Sequence, residues 1–163
     1  MQTEERSDLP ACEFQSIKSC SNNLFIVGSK IHPLGDHLKY GVIDNRGRYV
    51  IPMDYISIHE EIGKYFRVRR LSDDKTAMLD LKGEIIVDFG EYNFLWPFWG
   101  RYIKVGKKVE KNRQYGLLDT DLHQALPCVY SDIFACLAPP HEGSYGIRME
   151  KNDPWEFVSS AQF

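Results

Sequence analysis

The sequence predicts an all-β fold made of tandem small antiparallel sheets, about four repeats of three or four strands each, in a curved array. A compact four-bladed β-propeller is the alternative arrangement. Three observations carry this reading. An aromatic residue recurs at Phe14, Tyr55, Tyr92 and Tyr130, at intervals of 41, 37 and 38 residues, and a fixed period of this size marks a repeat architecture. A string of the form aromatic-Gly-apolar-apolar-Asp recurs with the same phase. The composition, 13% aromatic with only four Met in 163 residues, suits strands.

The elements follow in order along each copy. An apolar step precedes each aromatic, at Leu9-Pro10, Ile51-Pro52, Val87-Asp88 and Leu126-Pro127; proline sits where a strand begins or leaves its ladder. An apolar residue follows three positions after each, at Ile17, Ile58, Leu95 and Ile133, and completes a short first strand. The second strand is Leu24-Phe25-Ile26-Val27, Tyr65-Phe66-Arg67-Val68, Tyr102-Ile103-Lys104-Val105 and Tyr145-Gly146-Ile147-Arg148-Met149, several with the period-two alternation of a half-buried sheet. The third strand begins with Tyr40-Gly41-Val42-Ile43-Asp44, Thr76-Ala77-Met78-Leu79-Asp80, Tyr115-Gly116-Leu117-Leu118-Asp119 and Trp155-Glu156-Phe157-Val158-Ser159. Asp44 and Asp80 precede Gly47 and Gly83 by three residues, a turn in which the carboxylate bonds the backbone ahead and glycine supplies positive φ. Leu122 takes the glycine position in the third copy, and the fourth reaches Phe163 before a returning strand. Residues 1–8 read as a polar tail, and residues 9–163 as one domain with copies at about 9–50, 51–86, 87–125 and 126–163.

The run Tyr40 to Gly47, leading into Val50-Ile51-Pro52 and Tyr55, resembles the WG repeat (KWG repeat) of bacterial proteins. That family opens a strand with a Trp-Gly or Tyr-Gly pair and ends it in Asp, followed by a Gly turn, an apolar-Pro step and a Tyr-Asp pair. Tyr115-Gly116 keeps the opening pair; the second copy has Thr76-Ala77 and the fourth Trp155-Glu156. The resemblance implies an all-β scaffold that serves binding and carries over no catalytic residue.

Net charge of −3 and pI near 5.9 supply no drive toward phosphate backbones, so no nucleic-acid partner is expected. The polar, acidic N-terminus lacks the pattern of a signal peptide and no apolar run approaches a membrane span, so a cytoplasmic location without a membrane partner is expected. Cys12 and Cys20 bracket Phe14 as Cys128 and Cys136 bracket Tyr130; buried structural thiols rank ahead of disulfides and of a metal site, whose ligands lie closer in sequence. The five histidines fall mostly in loops, and no hydrolase, nucleotide-binding or zinc-protease string appears. Neither a catalytic residue, a metal site nor a cofactor is assigned.

Two features stand out for binding. The segment from Asn93 to Tyr102 concentrates aromatics, with Trp96 and Trp99 as anchors should they be exposed. The loops between second and third strands, at 29–39, 69–75, 106–114 and 150–154, differ most and are expected on one face, with Asp36, Asp73, Asp74, Glu110 and Asp153 as candidate contacts. The functional expectation is a protein-binding module, specifically a bacterial immunity protein that neutralises a toxin domain with a basic surface, a nuclease among the options. An adaptor repeat protein and a small hydrolase or metal-dependent enzyme are the rival classes.

Overall fold

The computed structural model describes residues 14–31, 37–99, 101–137 and 143–159. Among them the regular structure is almost entirely strand, arranged as four meandering units. The first unit comprises β1 (Ser16–Ser19), β2 (Leu24–Lys30), β3 (Leu38–Asp44) and the start of β4 (Tyr49–Glu61). The second continues β4 into β5 (Tyr65–Arg70), β6 (Thr76–Asp80) and β7 (Ile85–Val87). The third is β8 (Phe94–Phe98), β9 (Tyr102–Val109), β10 (Asn112–Leu118) and β11 (Gln124–Tyr130); the fourth is β12 (Asp132–Ala135), β13 (Ser144–Arg148) and β14 (Glu156–Ser159).

The expectation of one sheet per copy needs one correction. β1 to β7 form a single seven-stranded sheet, because β4 is continuous and pairs with β3 at one end and β5 at the other. The register breaks between Tyr55 and Ser57, at the phase aromatic itself, so the bulge marks the boundary between copies. The third and fourth units are separate sheets of four and three strands.

Registers coincide from unit to unit. Val42 stands opposite Ile51, Met78 opposite Val87, and Leu117 opposite Leu126. Ile17, Ile58, Leu95 and Ile133 pair with Val27, Val68, Val105 and Ile147. This last set corrects the alignment of the fourth second strand: Tyr145 matches Ile103, not Tyr102, because Tyr145 lies opposite Val158 as Ile103 lies opposite Leu118.

Three equivalent hydrophobic clusters hold the units together. The first joins Val42, Ile51 and Tyr55 to Ile58, Phe66 and Val68. The second joins Met78, Val87 and Tyr92 to Leu95, Ile103 and Val105, and the third joins Leu117 and Leu126 to Ile133, Tyr145 and Ile147. Each unit thus buries its third and returning strands against the first and second strands of the next, as repeat folds do. Among the described residues, none of these three clusters contains side chains of both the fourth and the first unit.

The tyrosine and glycine of the repeated pair have separate tasks. A Cβ on Gly41 or Gly116 would meet the carbonyl oxygen of Ile51 at 2.9 Å or of Leu126 at 2.7 Å, so glycine admits the returning strand. The tyrosine ring covers a second glycine across the ladder: a Cβ on Gly28 would meet Tyr40 at 2.8 Å, and one on Gly106 would meet Tyr115 at 3.0 Å. In the second unit Thr76 faces Arg69 and Ala77 replaces the glycine. There the returning strand β7 has only three residues and stops at Val87.

Candidate functional site

The loops between second and third strands, one per unit, follow the same turn of each meander. The loop expected at 106–114 is mostly strand: β9 and β10 form a hairpin that pairs Val109 with Asn112, leaving Glu110 and Lys111 as its turn. Glu110 sits at φ 54. The loop segment from Arg69 to Lys75 spends its carboxylates locally. Asp73 accepts two hydrogen bonds from the Arg70 guanidinium at 2.9 and 2.6 Å and lies 3.8 Å from Lys75 Nζ, while Asp74 pairs with Arg69. The Arg70 hydrogen bonds hold the Asp73 carboxyl down to about 2, against a smaller desolvation effect that raises it. Asp153 accepts the Glu150 N–H at 2.9 Å. Asp36 lies outside the described residues. Asp73 and Asp74 are therefore neutralised by arginines of their own loop.

The aromatic segment differs. Trp96 is 55% exposed and Trp99 57% exposed; large indoles left this open are what mark a contact surface. Trp99 sits in the turn after β8 at φ 56, a conformation a bulky side chain seldom adopts. Trp96 does not stand alone. Strand alternation puts Phe94 and Trp96 on the same face of the third sheet as Lys104 and Tyr115, through the pairs Trp96 with Lys104 and Phe94 with Gly106 and Gly106 with Tyr115. Phe94, Trp96, Lys104, Arg113 and Tyr115 line a hollow of about 300 Å³.

The cations around this hollow are held in place by ring faces. The Arg113 guanidinium lies 4.5 Å over Phe94, Lys104 Nζ 4.5 Å over Tyr115, and the Arg67 guanidinium of the second unit 5.8 Å from Trp96. Such contacts contribute about 0.5–2 kcal/mol each according to desolvation, and they fix charge direction. Lys104 also donates to the Ile133 carbonyl at 2.6 Å and to Asp132 at 3.2 Å. Arg67 is anchored by Glu61 at 2.7 Å, the buried carboxylate at the end of β4.

Arg113 and Tyr115 also border a wider groove of about 880 Å³ between the third and fourth units. Lys111, Arg113, Arg148 and Lys151 give it four cations against one carboxylate, Glu150. Arg148 stacks 4.3 Å over Trp155 and donates to the Lys151 carbonyl at 2.8 Å. A molecule of net charge −3 thus gathers positive charge near the exposed Trp96.

The other singled-out residues lie apart from this face. Trp99 borders a separate hollow of about 370 Å³ with Arg101, Cys136, Leu137 and Tyr145. Cys20, Cys128 and Cys136 are free thiols, half-buried rather than buried, and Cys12 lies outside the described residues. The equivalence of Cys20 and Cys136 is real: their N–H groups donate to Leu24 and Ser144, matched positions, at 2.9 Å each. Burial pushes the Cys20 and Cys128 thiols up, which disfavours the nucleophilic thiolate. His59 lies in strand β4 and not in a loop; burial, reinforced by Arg67, lowers its pKa. His123 is 81% exposed beside Asp119, and His32 and His141 lie outside the described residues.

Sequence reading singled out Trp96 but missed Phe94, Lys104, Arg113 and Tyr115 as its neighbours. The available signal was the phase: Tyr115 opens the repeated motif, and the strand opposite carries Gly106 and then Phe94. No family model, curated protein or solved structure matches the chain.

Proposed function

We propose that the chain is a protein-binding repeat module that engages its partner through the aromatic and cationic face of the third unit, with Trp96 as anchor. The observation that carries this reading is the 55% exposure of Trp96 inside a ring of oriented cations. Interface energy concentrates in such aromatic and arginine residues. Arg67 and Lys104 are already paired with Glu61 and Asp132, so the partner surface is selected by Arg113 and the cations Lys111 and Lys151 of the adjoining groove; it is acidic, with an apolar or aromatic side chain for the hollow.

Within this class, size, charge and the WG-repeat likeness favour a bacterial immunity protein that neutralises a toxin domain. The basic toxin surface expected from the sequence has less to meet, since Asp73 and Asp74 are already paired with arginines. The contact would run instead from Trp96 to an acidic rim of the toxin. Affinity capture from the source cells tests the module reading, using the full chain and its Trp96→Ala variant. A partner retained by the full chain and bound about 10–100-fold more weakly by the variant is the expected result, for a hot spot of about 2 kcal/mol or more. Equal capture by both removes this face from consideration. For the toxin reading, mixing with a toxin encoded beside this gene should abolish toxicity; undiminished toxicity rejects it.

A further inference from the structure

The third and fourth units present equivalent loops to one groove. The β9–β10 hairpin turns at Glu110 and Lys111, and the chain from Met149 to Trp155 joins β13 to β14. The groove of about 880 Å³ is lined on one side by residues 111–115 and on the other by residues 148–152, with Val129 and Ser131 also at its wall.

Its charge is left open. In the matching loop of the second unit Arg69 and Arg70 are paired with Asp74 and Asp73. In the groove Arg148 is partly engaged, 3.7 Å from Asp132 and stacked on Trp155. Lys111, Arg113 and Lys151 form no ion pair among the described residues. Like charges gathered in this way repel one another, and carboxylates from outside relieve the repulsion.

The main chain is open on the same side. β10 pairs β9 from Asn112 onward but pairs β11 only from Tyr115 onward. The β11 side of Asn112, Arg113 and Gln114 therefore carries no strand partner among the described residues, and an extended segment can add backbone hydrogen bonds at such an edge. Val129 and Met149, both exposed, supply apolar contact beside the cations. Arg113 and Tyr115 also line the hollow that holds Trp96, so groove and hollow share a wall.

We propose that groove and hollow form one continuous site for an extended acidic segment of the partner, with an aromatic or apolar residue beside Trp96 and carboxylates between Lys111, Arg113 and Lys151. This rests on the protein-binding function proposed above and narrows it to a linear segment. A single strand of nucleic acid fits less well: stacked bases need open ring faces, and Arg113 and Lys104 lie over those of Phe94 and Tyr115.

Fluorescence anisotropy with the full chain tests the site, using a labelled peptide of one phenylalanine flanked by glutamates and its glutamine counterpart. At low salt the glutamate peptide should bind at least about tenfold more tightly. Lys111→Gln with Lys151→Gln should weaken its binding about fivefold or more. Lys18→Gln with Lys82→Gln, an equal change of charge in β1 and in the turn after β6, should leave it within about twofold. Equal binding of the two peptides, equal loss in the two double variants, or tighter binding of a single-stranded oligonucleotide overturns the proposal. Partner capture separates this failure from that of the wider reading. Capture weakened by Trp96→Ala but untouched by the Lys111→Gln, Lys151→Gln pair sinks the linear site alone, whereas capture untouched by either sinks both.

Discussion

Asp44, Asp80 and Asp119 each accept two backbone N–H bonds at 2.8–2.9 Å from the residues two and four ahead. The following turn is closed by the N–H of Gly47, Gly83 or Leu122, at φ 76, 87 and 66. Leucine is tolerated at positive φ because its side chain packs on the cluster between the second and third units. These amide bonds lower the Asp44 carboxyl through the Arg48 N–H, and lower that of Asp119 despite the opposing effect of burial. Asp73 is lowered further, to about 2, by Arg70. A carboxyl lowered by folding stabilises the fold above its ordinary pKa near 3.9 and loses that contribution as pH falls toward the folded value. Asp73→Asn should therefore cost a small amount of thermal stability at pH 7 and reduce the loss between pH 4 and pH 2. Melting curves across that window check it; an unchanged pH dependence rejects the role of the pair.

Strands in this chain are set by what their neighbours permit. The returning strands β4 and β11 run past Gly41 and Gly116 and pair as far as Tyr55 and Tyr130. β7 meets Ala77 and leaves after Val87. The first copy and the third also pair the motif tyrosine with a glycine across the ladder, and the second has lost both partners together. Gly116→Ala should cost about 1–3 kcal/mol, since the new methyl would lie 2.7 Å from the Leu126 carbonyl oxygen and 2.9 Å from the Cys128 nitrogen, and backbone atoms yield less than side chains. Chemical denaturation measures it. Ala77→Gly, where the returning strand already diverges, provides the contrast and should not exceed the usual loss of about 0.5–1 kcal/mol for glycine in a strand. Comparable large losses at both sites would refute the crossing argument.

At the scale of the molecule the core is distributed over junctions between units. Leu95 is 1% exposed between Met78 and Val87 of the second unit and Ile103 and Val105 of its own. Leu95→Ala should lower stability by about 2–5 kcal/mol, the range for a buried leucine truncated in a packed core. Since one junction is weakened and the others are not, hydrogen exchange should accelerate first in β6 to β9. Uniform acceleration across all four units would show that the chain unfolds as a single cooperative body.

The phase of the repeat was legible in the chain because it is written in local chemistry. Asp before a glycine turn, apolar-proline steps and period-two alternation each follow from backbone geometry over a few residues, and Ile17, Ile58, Leu95 and Ile133 fall at one register position as their spacing implied. Other features depend on partners distant in sequence. The continuity of β4, the one-residue offset at Tyr145 and the hairpin through Glu110 arise from pairing. The neutralisation of Asp73 and Asp74 and the gathering of Lys104, Arg113 and Tyr115 around Trp96 arise from side chains meeting across strands. By itself the sequence determined the all-β character and the phase at which the first strands recur, since these rest on short-range sterics and hydrogen bonding. Only the tertiary structure decided that Trp96 and Trp99 both stand exposed and that the cations gather around Trp96, because exposure and electrostatic field are properties of packed neighbours.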